Sequence, residues 1–81
     1  MQFKNKAAIL LNQGIIPKGM SPDLARKAQR KIKMLLAAVS LNDLRIPPSN
    51  RLEALQGDRK GQFSIRVNDR YRLCFVFTDG K

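Results

Sequence analysis

Residues 61–75, GQFSIRVNDRYRLCF, alternate apolar and polar side chains on either side of a short polar break. Phe63, Ile65 and Val67 alternate with Gln62, Ser64 and Arg66. After the break, Tyr71, Leu73, Phe75 and Phe77 alternate with Arg72, Cys74 and Val76. A period of two belongs to a strand with one buried face, so the segment predicts an antiparallel hairpin. Matching apolar to apolar sets the register: Val67 faces Tyr71, Ile65 faces Leu73 and Phe63 faces Phe75, with Asn68-Asp69-Arg70 left as an odd-numbered loop. A slip of one residue would pair the core face with the polar face, so this register is well specified. It also sets Arg66 opposite Arg72, beside Ser64 and Cys74. Like charges directly opposed on a sheet cost roughly 0.2–1 kcal/mol, and the pairing therefore asks for a compensating anion.

The sequence before the hairpin is helical in character. In SPDLARKAQRKIKMLLAAVS, residues 21–40, Ser21 is a good N-cap, Pro22 stands at the first helical position and Asp23 complements the helix dipole. Leu24, Ala28, Ile32, Leu35, Leu36 and Val39 fall in one stripe at helical spacing, with Arg26, Lys27, Arg30 and Lys33 on the opposite side. The stripe predicts core packing; the basic face fits either a solvated surface or contact with a polyanion. Residues 3–13 have helical composition, with Gly14 as a stop, and IIPKGM is a connector. LNDLRIPPSN reads as a linker, because Pro47-Pro48 can neither continue a helix nor enter a central strand. RLEAL is ambiguous: Asn50 and Glu53 resemble a helix capping pair, yet the run leads straight into strand-like sequence. QGDRKG is a polar turn between Gly57 and Gly61, and TDGK ends the sequence on an Asp-Gly turn signal. Helices first and strands later, with no repeat or boundary, predict one α+β domain over residues 1–81, with N-terminal helices packed on a small twisted antiparallel sheet.

Charge narrows the partners. The chain has 16 Lys and Arg against 6 Asp and Glu, a net charge of +10. A small domain so basic usually meets a polyanion, and RNA, DNA and acidic protein all fit. A membrane surface fits less well, since the basic helix spends its apolar face on a core. No apolar run is long enough to span a bilayer and no leader is legible, so a cytoplasmic protein is expected. The single cysteine, Cys74, gives neither a disulfide framework nor a metal cluster and reads as a buried thiol. Histidine is absent, which removes His-based triads and argues against a metal site; no cofactor is expected. Acid–base work would fall to Asp, Glu, Lys, Tyr or an anion-polarising Arg.

Two arginines on one sheet face suit a phosphodiester, since guanidinium is planar, always charged and able to bind phosphate in a bidentate manner. Arg59 and Lys60 in the preceding turn extend the same basic character. Such a site can stabilise charge that builds up during phosphodiester cleavage, and needs no metal if the RNA's own 2′-hydroxyl is the nucleophile. The simpler alternative is an exposed sheet face whose arginines pair with acids such as Glu53.

The stretch NRLEALQGDRKGQFSIRVNDRYRLCFVFTDG resembles the core of the HigB toxins, within the RelE/ParE superfamily of toxin–antitoxin systems. The hallmark run L-x-x-L-x-G-D-R-x-G-x-x-S-I-R-V-N-D-x-Y/W-R-L/I-C-F is matched from Leu52 to Phe75, and the lead-in PPSNRLEAL and the helix ARKAQRKIKML also fit. The resemblance implies a small ribonuclease that enters the ribosomal A site, cuts mRNA during translation and is neutralised by a HigA-like antitoxin protein. It makes RLEAL a strand. It assigns Arg72 and Arg66 to holding and polarising the scissile phosphate, and Arg59, Lys60, Asn68, Arg26, Lys27, Arg30 and Lys33 to RNA contact. Some relatives carry lysine at the position of Gln56 and arginine at that of Asn68, so those charged roles do not carry over. Relatives usually continue past the Asp-Gly turn into another strand with terminal acid–base groups, whereas this sequence stops at Lys81. The resemblance therefore implies a missing final strand, an unpaired sheet edge and an attenuated toxin. Two alternatives stay open: a non-catalytic module that binds antitoxin or RNA, and a ParE-like inhibitor of DNA gyrase.

Overall fold

The hairpin forms in the register that its apolar pattern demands. In the structure, a computed structural model that describes residues 1–78, Phe63 pairs with Phe75, Ser64 with Cys74, Ile65 with Leu73 and Arg66 with Arg72. The Val67 N–H donates to the Tyr71 carbonyl at 2.9 Å, which continues the ladder to the tip. In chain order the elements are β1 (Gln2–Phe3), α1 (Lys6–Asn12), α2 (Pro22–Ala37), α3 (Leu41–Arg45), β2 (Glu53–Ala54), β3 (Phe63–Arg66) and β4 (Arg72–Val76), with 3-10 turns at Pro48–Asn50 and Gly57–Arg59. The four strands form one antiparallel sheet in the order β1-β4-β3-β2. The fold is α+β, as expected.

The inward side chains of the hairpin meet the helices. Ile65, Val67, Leu73 and Phe75 are buried with Ala8 and Leu11 of α1, Ala25, Ala28, Ile32 and Leu35 of α2, and Leu44 of α3. The Phe63 and Phe75 rings stack with centroids 6.2 Å apart. α2 begins as its sequence dictates: the Leu24 N–H donates to Ser21 Oγ at 3.2 Å and Pro22 sits in the first turn. α1 stops where glycine permits, with Gly14 at φ +81°, a left-handed conformation that a side chain would strain.

Several expectations are corrected. The chain opens on a strand rather than a helix. Gln2 and Phe3 pair with Val76 and Phe75, and α1 starts only at Lys6. Asn5 prolongs this pairing with its side chain: Nδ2 donates to the Arg72 carbonyl at 2.8 Å, and Oδ1 accepts from the Cys74 N–H at 3.0 Å. β4 is consequently an interior strand, and among the described residues β1 and β2 are the edges of the sheet. Within α2 the buried stripe includes Ala25 and ends at Leu35. Leu36 and Val39 are 44% and 75% exposed, because the helix finishes at Ala37 and Leu36 lies about 100° around the helix from Leu35. The expected linker holds a helix and a 3-10 turn. α3 is started by Asp43, whose Oδ2 accepts from the N–H groups of Val39 (2.9 Å) and Ser40 (3.2 Å). RLEAL, by contrast, is the strand that the resemblance implies and not the helix start that Asn50 and Glu53 suggest. Glu53 and Ala54 form an edge strand against Ser64 and Phe63. The Asp79-Gly80 turn signal lies outside the described residues.

Candidate functional site

Strand alternation puts Ser64, Arg66, Arg72 and Cys74 on the face of the sheet turned away from the helices. Val67 and Tyr71 hold a hydrogen-bonded position, so Arg66 and Arg72, one step on, occupy the kind of pair in which opposed side chains stand closest. The two guanidinium groups nevertheless diverge. Arg72 turns over Ser64: its Nε donates to Ser64 Oγ at 2.8 Å, and its Nη2 donates to the Arg51 carbonyl at 2.7 Å. The same Nη2 lies 3.3 Å from Glu53 Oε1 on β2. Arg66 turns toward the loop and pairs with the Asp69 carboxylate. The repulsion set up by the register is thus relieved inside the chain, by one acid for each arginine.

What holds Arg72 in place is buried. Ser64 is 1% exposed, so its hydroxyl has a fixed direction and accepts from Arg72 where no water competes. Arg51 adopts a left-handed conformation (φ +46°), rare for a residue with a side chain, and so presents its carbonyl to Arg72. The residue before it, Asn50, is fully buried. Its Nδ2 donates to the Leu44 carbonyl at 3.0 Å and contacts Met34 Sδ at 3.2 Å, while its Oδ1 accepts from Lys31 Nζ. This amide ties α2 and α3 to the segment carrying Arg51. Partial burial, and secondarily the positive charge of Lys27, hold the Lys31 ammonium below the ordinary lysine pKa.

Of the remaining sequence-stated candidates, Arg59 and Lys60 are exposed in the turn between β2 and β3. That turn precedes Phe63, so the length of β3, about 10 Å, separates it from Arg66 along the strand. Asn68 shapes the hairpin tip: its Oδ1 accepts from the N–H groups of Arg70 (2.9 Å) and Tyr71 (2.8 Å). Arg26, Lys27, Arg30 and Lys33 are exposed on α2, in the helix layer on the other side of the sheet from the Arg66 and Arg72 side chains. Arg26 is paired with Asp23. The hairpin therefore gathers Arg66 and Arg72, and leaves the other cations on separate surfaces.

Sequence reasoning missed Asp69, Asn50 and Lys31. Asp69 carried a signal, since it follows Arg66 by three residues across a turn. Asn50 carried none for burial, because its spacing to Glu53 reads as a helix cap.

Comparison with known proteins adds the lineage of this arrangement. A family model described as the RelE-like toxin of type II toxin–antitoxin system HigB matches residues 3–81. A 51-residue stretch is 57% identical to Toxin HigB-1 of Vibrio cholerae serotype O1, covering 63% of this chain and 54% of that protein. A 59-residue stretch is 39% identical to an uncharacterized protein of Haemophilus influenzae, covering 73% of this chain and 58% of that one. The matched stretches thus span little more than half the length of these curated relatives.

Proposed function

Because the chain belongs to the RelE-like HigB toxins of type II toxin–antitoxin systems, we propose that it inhibits translation by cutting ribosome-bound mRNA in the cytoplasm and is held in check by a HigA-like antitoxin. The observation that carries the reading is the Arg66–Arg72 pair on one sheet face, with Arg72 fixed by Ser64 and the Arg51 carbonyl. A phosphodiester laid on this face replaces Glu53 and Asp69 as the partner of the guanidinium groups. The 2′-hydroxyl of the RNA attacks the adjacent phosphorus, the P–O5′ bond breaks, and the products are a 2′,3′-cyclic phosphate and a 5′-hydroxyl. The 2′-hydroxyl proton leaves to solvent or a ribosomal group, and the 5′ oxygen gains one. Arg72 and Arg66 stabilise the extra negative charge on the phosphoryl oxygens in between. Arg59, Lys60 and the Arg26, Lys27, Arg30 and Lys33 face of α2 hold RNA by charge, and Asn68 by its remaining amide nitrogen.

Cleavage mapping of mRNA in a translation extract, with and without ribosomes, tests the reading. The expected result is cuts that require ribosomes and disappear with Arg72→Ala. Absence of cuts from the unmodified chain would sink the nuclease assignment. One observation favours a second reading, a module that binds RNA or antitoxin without cutting: both arginines already have carboxylate partners. Salt-dependent RNA affinity without turnover would establish it.

A further inference from the structure

On the helix side of the sheet, Lys6, Ala7, Leu10, Pro17, Lys18 and Tyr71 line a hollow of about 270 Å³. Its chemistry has two parts. Ala7, Leu10 and Pro17 make an apolar floor and Tyr71 an aromatic wall, while the exposed Lys6 and Lys18 bring two ammonium groups to the rim. Among the described residues neither lysine has an acidic partner, and the Tyr71 phenol makes no hydrogen bond. Asp23 and Asp69 are already paired with Arg26 and Arg66. An apolar slot with an aromatic wall and two uncompensated cations selects a planar body that carries an anion. An inorganic ion would use only the rim, and a neutral ring only the floor.

We propose that this hollow binds a single nucleotide, its base against Tyr71 and its phosphate at Lys6 and Lys18. Aromatic stacking joined to a cationic contact is the combination by which single-stranded nucleic acid is held. The volume lies at the small end of ligand pockets and suits one base. Tyr71 and Arg72 are consecutive, so their side chains leave opposite faces of the sheet, and the hollow is distinct from the arginine face. Only the choice of a nucleotide over another planar anion rests on the RNA reading above.

The chain has one tyrosine and no tryptophan, so the Tyr71 ring signals are unambiguous in an NMR titration. Adenosine 5′-monophosphate, adenosine, inorganic phosphate and a hexaglutamate peptide serve as parallel probes. The monophosphate is expected to shift the Tyr71 ring and the amides of Ala7, Leu10 and Lys18 in a saturable way, with adenosine or phosphate alone about tenfold weaker. Lys6→Gln and Lys18→Gln change exposed side chains, and each is expected to weaken the monophosphate about five- to tenfold. Arg45→Gln on α3 is expected to leave it unchanged. Shifts confined to the arginine face or α2, phosphate binding as tightly as the nucleotide, or hexaglutamate filling the hollow where the nucleotide does not, would each overturn the proposal. Failure of the nuclease reading shows instead as absent cleavage, which does not touch the Tyr71 signals.

Discussion

Arg72 is the residue on which the account turns, and its surroundings explain how one guanidinium comes to be aimed. The buried Ser64 hydroxyl takes its Nε, the Arg51 carbonyl takes its Nη2, and Glu53 lies beside it at the exposed margin. Ser64→Ala removes a hydrogen bond worth about 0.5–1.5 kcal/mol, which lowers the melting temperature by roughly 2–12 °C in a domain this size, and frees Arg72 to swing, so we expect mRNA cleavage to fall at temperatures where the variant is still folded. Thermal unfolding and a cleavage time course on the same preparation check this. Glu53→Gln acts in the other direction. The pair is partly exposed, so its loss costs no more than about 1 kcal/mol of stability. Removing a competing carboxylate is expected to raise affinity for single-stranded RNA about three- to tenfold at low salt, read by fluorescence anisotropy. The arginine pair was legible in the sequence because strand period and apolar matching leave one register. The direction in which each arginine points was not, because it depends on Asp69 in the turn and on a carbonyl of a residue more than twenty positions away.

At the scale of elements, the same contrast holds for a physical reason. α2 and the hairpin are long enough to show a period, and both were legible. β1 is two residues long and owes its place to pairing with β4 and to the Asn5 side chain, neither of which leaves a local pattern. α3 did carry a signal, the Ser40-to-Asp43 spacing of a helix start, which the following prolines masked. Asn50 joins these elements, and Asn50→Ala leaves the Leu44 carbonyl without its donor in a buried site and takes the acceptor from the half-buried Lys31 ammonium. We expect a loss of about 2–3 kcal/mol by urea denaturation, a large share of the stability of a domain this size. The Lys31 ammonium releases its proton earlier in the folded state than in the unfolded one. Its burial therefore opposes folding at neutral pH, and that cost fades as pH rises through the folded pKa toward 10.5. A ¹³Cε titration is expected to show Lys31 with a midpoint below the ordinary lysine value of 10.5, and a midpoint at or above that value would contradict the effect of its partial burial.

The whole molecule combines a small core with a large charge. Its Cα radius of gyration is 11.9 Å, close to the roughly 11.7 Å expected for a compact chain of this length, although the net charge is +10. Self-repulsion of that kind is screened by salt. The melting temperature is expected to rise on moving from low to physiological ionic strength, while RNA affinity falls. If about four phosphates are contacted, the slope of log affinity against log salt is about −3. A slope near zero would mean that the basic surface does not hold RNA.

The most direct measurement is the single-turnover rate of mRNA cleavage on ribosomes by the unmodified chain and by Arg72→Ala, with the fold of each verified by its NMR spectrum. Loss of a group that stabilises developing phosphoryl charge is expected to lower the rate by about 10²- to 10³-fold while the spectrum stays that of a folded protein. An Arg72→Ala chain that cuts at the unmodified rate would contradict the account.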